Sequence, residues 1–122
     1  MATIYIYVSR NGNSQNIKLR DSNGDDPGND QVTTVVDEGD TVIWALDPDG
    51  SNLYSLNGVE KKASSQVDLL KKQPAPQSDG TYKAKVKKKD SLKGKKESYY
   101  IKYKITADGS ILCDDPKLKM KK

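Results

Sequence analysis

The stretch Val36-Asp37-Glu38-Gly39-Asp40-Thr41-Val42-Ile43-Trp44 decides the fold. An acidic turn around Gly39 delivers a strand whose alternate residues Val42, Trp44 and Leu46 share one face. β-Branched and aromatic residues at period two read as a strand with one buried face.

The same period runs outward in both directions. Toward the N-terminus, Ile4, Ile6 and Val8 alternate with Tyr5 and Tyr7. After the turn Asn11-Gly12-Asn13, Ile17 and Leu19 alternate with Lys18 and Arg20, which predicts a hairpin. Residues 21–30 are all turn formers and make a polar loop, and the β-branched residues 32–36 form a third strand. Toward the C-terminus, Asp47-Pro48-Asp49-Gly50 turns the chain and residues 53–56 form a short strand. Residues 64–72 predict a helical turn capped by Ser64 or Ser65, which Pro74 and Pro76 end. Tyr82, Ala84 and Val86 then alternate with Lys83, Lys85 and Lys87, giving a strand with one wet, cationic face. Tyr99, Ile101, Tyr103 and Ile105 alternate with Tyr100, Lys102 and Lys104. Asp108-Gly109 is a hairpin signal, and residues 111–113 with Leu118 and Met120 close the chain. Seven or eight strands at roughly ten-residue spacing predict an all-β, antiparallel Greek-key sandwich of immunoglobulin-like build, one domain over residues 1–122. The expected core is Ile4, Ile6, Trp44, Tyr99, Ile101 and Tyr103.

Composition removes whole classes of chemistry. The 122 residues contain no His and one Cys. A Ser-His-Asp arrangement is therefore impossible, and so are an intramolecular disulfide and a Cys/His zinc site. Cys113 precedes Asp114 and Asp115, whose charges raise a thiol pKa, and no imidazole stands by as base. Two carboxylates can hydrolyse glycosides, yet nearly every acid here lies in a turn-rich segment that keeps it ordinarily ionised. No enzyme and no cofactor are expected. No run approaches the ~20 apolar residues needed to span a bilayer, and no signal-peptide pattern precedes the first strand, so the default expectation is cytoplasmic.

Charge is segregated along the chain. Residues 1–60 carry three basic and ten acidic side chains, a net of −7. Residues 61–122 carry eighteen Lys and seven acids, a net of +11, and the two halves give the overall +4. Such polarity suits a solvated strand face, an acidic or nucleic-acid partner, or the alignment of neighbouring copies. The polyanion candidates are Lys83, Lys85, Lys87, Lys88, Lys89, Lys95 and Lys96. The absence of Arg from residues 83–104 argues against nucleic acid, because Arg makes the bidentate phosphate contacts. Loop 21–30 offers a calcium candidate in Asp21, Asn23, Asp25, Asp26 and Asp30. Its sixth position is Asp26 rather than Gly and its twelfth Val32 rather than Glu, so the EF-hand pattern fails and a hydrated turn is the default. Asp47, Asp49 and Ser51 form a shorter set with the same default.

The stretch 36–44 resembles the Gly-Asp-Thr-Val-x-Trp strand of the cupredoxin-like fold, the β-sandwich of blue-copper proteins and their copper-free relatives. Gly80-Thr81-Tyr82 and Tyr99-x-Ile101-x-Tyr103 resemble two late strands of that fold. The ending Asp114-Asp115-Pro116-Lys117-Leu118-Lys119-Met120 is similar to the Asp-Pro-x-Ile/Leu-x-Val close of some small bacterial sandwich proteins. The resemblance touches about half the chain and implies architecture only. Blue-copper sites need two imidazoles and a thiolate, and none can be assembled here. Cys113 and Met120 lie later than the family's ligand loop and do not carry over. The first functional reading is a copper-free binding or assembly module that recognises another protein or itself. The rival reading is a polyanion or nucleic-acid binder acting through the Lys-rich strands.

Overall fold

The Asp37-to-Asp40 turn shows how the chain is tied together. In a computed structural model, which describes residues 2–63 and 67–122, Asp40 N–H donates to the Asp37 carbonyl at 3.1 Å. Gly39 sits at φ 77°, a left-handed conformation that costs a side chain more than glycine. The buried Asp40 carboxylate then accepts from Asp37 N–H and Ala2 N–H, both at 2.8 Å. One acid closes the turn and anchors the start of the first strand beside it.

Ten strands follow. They are β1 (Thr3–Arg10), β2 (Ile17–Asp21), β3 (Thr33–Val36), β4 (Thr41–Leu46), β5 (Ser55–Lys61), β6 (Ala75–Pro76), β7 (Tyr82–Lys85), β8 (Lys96–Lys104), β9 (Leu112–Asp114) and β10 (Lys117–Met120). One sheet has the order β2-β1-β4-β7-β6, and the other β3-β10-β8-β5, with β9 also on β8. The fold is the all-β sandwich that the alternation predicts. The expected hairpin is present as β1–β2, with Val8 opposite Leu19.

The sheets are mixed rather than wholly antiparallel. β1 pairs parallel with β4, Ile6 opposite Trp44, and β3 pairs parallel with β10, Thr34 opposite Leu118. Parallel neighbours need a crossover, and β3 in the other sheet supplies it between β2 and β4.

Ile4, Ile6, Trp44, Tyr99, Ile101 and Tyr103 all lie in the core, joined by Ile17, Leu19, Leu69, Val86, Leu118 and Met120. Trp44 and Tyr99 meet edge to face, centroids 5.6 Å apart, and Trp44 Nε1–H donates to Tyr99 Oη at 3.1 Å. That bond answers the polar atom each ring carries into the interior.

Two local expectations give way. The helical turn over 64–72 is not formed at 67–72, and Ser64, Ser65 and Gln66 lie outside the described residues. Instead Leu70 bridges Val86, Lys71 N–H donates to the Lys85 carbonyl at 3.0 Å, and Lys87 N–H donates to the Leu69 carbonyl at 2.8 Å. The β7 edge takes this strap as a discontinuous strand, and burial of both Leu69 and Leu70 outweighs helix propensity. The strand expected at 53–56 starts at Ser55 and runs to Lys61. A bulge between Leu56 and Gly58 puts Gly58 and Val59 inward in succession, which hides the period.

Candidate functional site

The acidic loop packs on one side of the sandwich. Leu19 N–H donates to the Asn29 carbonyl at 2.9 Å and Asp21 N–H to the Asp25 carbonyl at 3.0 Å, so the loop covers the outer edge of β2. Asn23 Nδ2–H reaches the Val35 carbonyl at 2.9 Å and ties the same loop to β3. Asp21 is buried beneath it. Its Oδ1 accepts from Asn23 N–H and Asp25 N–H, both at 3.1 Å, and its Oδ2 from Thr34 Oγ1 at 2.7 Å.

These bonds scatter the calcium candidates. Asp21 spends both oxygens inside the fold, and Asn23 turns its amide to β3. Asp25 lies against Asp21, and that carboxyl–carboxyl contact pushes its pKa up. Asp26 lines a cleft of about 270 Å³ with Lys18, Arg20, Asp47 and Asp49, which brings loop 21–30 and the 47–50 turn together. Asp30 accepts from Gln31 Nε2 at 3.2 Å and approaches Asp114, whose pKa rises chiefly from burial, with Asp30 adding to it. Among the described residues no group of three or more His, Cys, Asp or Glu is arranged to hold a metal ion. In the second set, Asp47 takes Arg20 through two bonds of 2.8 and 3.0 Å, which holds its carboxyl below the usual range. Ser51 Oγ accepts from Leu53 N–H at 3.3 Å. Both sets serve their own turns. Arg20 also lies 4.5 Å over the Tyr7 ring, which stacks on Tyr5 at 5.8 Å.

The predicted lysines do not form one patch. Lys83 and Lys85 project from β7 on the outer face of one sheet, and Lys96 starts β8 in the other. Lys87 pairs with Asp68 at 3.6 Å. Lys88 and Lys89 stand exposed in the connection that leads to Lys95. The fold gathers a different set. Lys71 and Lys72 on the strap join Lys83 and Lys85 around a groove of about 340 Å³, whose walls are alkyl stems with Ala75 and Ala84. Lys62, Lys87, Lys93 and Lys102 each pair with a carboxylate, whereas among the described residues Lys71, Lys72, Lys83 and Lys85 do not. Sequence reasoning missed Lys71 and Lys72 because they sit eleven and ten residues before β7, in a segment whose pattern predicts a helical turn. The Leu-Leu-Lys-Lys run at 69–72, two buried residues then two exposed, was the available signal.

Cys113 is exposed and Met120 buried, on opposite faces of their sheet. Glu97 is 1% exposed and accepts from Leu69 N–H at 2.7 Å, and burial pushes its pKa up to about 7. It clamps the strap to β8 and opens onto no cleft described above. Among the described residues no helix is long and apolar enough to cross a membrane.

No family model matches the chain, and no curated protein matches it. Among solved structures, it is similar to an inclusion body protein (PixA) from Burkholderia cenocepacia J2315. The identity is 10% and the TM-score 0.48, over 98% of this chain and 94% of that one.

Proposed function

We propose that this chain is a non-enzymatic, copper-free cupredoxin-like module that works by surface recognition, with another copy of itself as the first partner. The observation that carries the reading is spatial. The acidic loop 21–30 lies at the β2/β3 side, and Lys71, Lys72, Lys83 and Lys85, which have no carboxylate partner among the described residues, lie at the β7/β6 side. Four strand spacings separate β2 from β6, about 19 Å at ~4.8 Å each. That exceeds the ~10 Å screening length at 0.1 M salt, so the two sides do not neutralise one another within a molecule.

Sedimentation velocity at rising protein concentration tests it, in about 0.02 M and about 0.5 M salt. Concentration-dependent association that weakens at high salt is the expected result. A single unchanging monomer boundary in both conditions would refute it.

The second reading, a polyanion binder, draws support from the same four lysines rather than from the predicted set as a whole. It predicts retention on heparin that falls steeply with salt. It also predicts that K83E/K85E removes the retention while K95E/K96E leaves it.

A further inference from the structure

The two charged sides carry mirror-image defects. At the acidic side, like charges are held together: the exposed Asp25 folds over the buried Asp21 carboxylate, which its own N–H reaches at 3.1 Å, with exposed Asp26 next to it. At the basic side, four ammonium groups surround one groove with no carboxylate partner among the described residues. Each arrangement costs Coulomb energy in the isolated chain, and each is relieved by the other.

Among the described residues, backbone groups along β2 and β7 are already bonded within the chain. The outer edge of β2 is bonded by its own loop, and β7 by the strap, which ends in the two-residue β6. Contact there therefore runs through side chains.

We infer that the exposed Asp25-Asp26-Pro27 segment of one copy docks at the groove of Lys71, Lys72, Lys83 and Lys85 on a second copy. The inference rests on the self-association reading above and adds the surfaces and their polarity. The two surfaces differ and lie at opposite ends of the strand order, so the contact is heterologous. A copy joined through its acidic side keeps a free basic side, and growth proceeds head to tail without closing into a dimer.

Charge exchange tests it. One variant is K83E/K85E and the other D25K/D26K, with K71E/K72E as a second basic-side variant at exposed positions. Far-UV circular dichroism and thermal melting establish that each is folded. The inference expects at least a tenfold weaker association for each variant alone in low salt. It expects partial recovery toward wild type when K83E/K85E is mixed with D25K/D26K, because each contact between unlike variants again sets opposite charges against one another at positions 25, 26, 83 and 85. Wild-type association that all three variants leave unchanged would overturn the docking surfaces while leaving self-association in place. A wild type that stays monomeric would overturn both. In that event heparin retention lost in K83E/K85E would assign the groove to a polyanion.

Discussion

Replacing Glu97 with Gln should make the protein's stability less dependent on pH, and the sign follows from where the carboxyl sits. Glu97 is 1% exposed, accepts the Leu69 N–H at 2.7 Å, and has its pKa pushed up by burial from the ordinary 4.5 to about 7. As pH rises through that window, the unfolded chain loses this proton first while the native state still holds it. The native state binds more protons than the unfolded one, so stability falls with rising pH, and the loss is complete above pH 7. A difference of roughly 2.5 pH units at 1.36 kcal/mol each gives a loss of order 3 kcal/mol. Gln keeps the acceptor for Leu69 N–H and does not titrate. Urea unfolding of wild type and Glu97→Gln at pH 5, 6, 7 and 8 isolates this group, because the other raised carboxyls, Asp25 and Asp114, are common to both. At pH 5 the two should lie within about 1 kcal/mol of each other, the amide's second N–H being the added cost. At pH 8 the variant should gain about 1–3 kcal/mol relative to wild type. Parallel pH profiles, or a wild type that gains on the variant as pH rises, would refute the assignment of a buried, proton-holding Glu97.

Three further outcomes are expected. Trp44→Ala should lower unfolding free energy by about 3–5 kcal/mol, since the ring is wholly buried against Tyr99, and a urea midpoint within error of wild type would contradict that. Tyr99→Phe leaves the Trp44 Nε1–H without its acceptor and should cost about 1–3 kcal/mol, with Trp44 fluorescence reporting the loss of the bond. Asp21→Ala removes the acceptor of Thr34 Oγ1 and of two loop N–H groups. It should cost about 1–3 kcal/mol and speed hydrogen exchange at the Asn23 and Asp25 amides, which unchanged exchange rates would argue against.

Period-two alternation made the core legible, because it states which face a residue takes. It placed Trp44 and Tyr99 inside without any knowledge of their neighbours. It does not state which strands pair, and so the β1–β4 pair, with Ile6 opposite Trp44 across 38 positions, was read only as two separate strands. The strap was lost for a related reason. Leu69 and Leu70 face different neighbours because the chain there runs along the β7 edge, and two adjacent apolar residues carry no period. That loss hid the groove, since Lys71 and Lys72 are placed by the strap alone. In the acidic loop the residue types fitted oxygen ligation, but hydrogen bonds to Asp21 and Val35 set their directions, and spacing does not encode them.

The parallel pairing of β3 with β10 has a consequence for how the protein is made. Residues 33–36 lie beside residues 117–120, so β3 emerges from the ribosome some eighty residues before its partner exists. The first sheet gains β1, β2 and β4 early, but in the second β3 has no strand to pair with until residues 117–120 have been made. During that interval Val36 has no Met120 beside it, and its nascent strand is open to other chains. Asp21 is already present and can grip Thr34 through the contact that measures 2.7 Å in the finished fold. A residue that looks like a metal ligand is thus placed to tether an unpaired strand during synthesis.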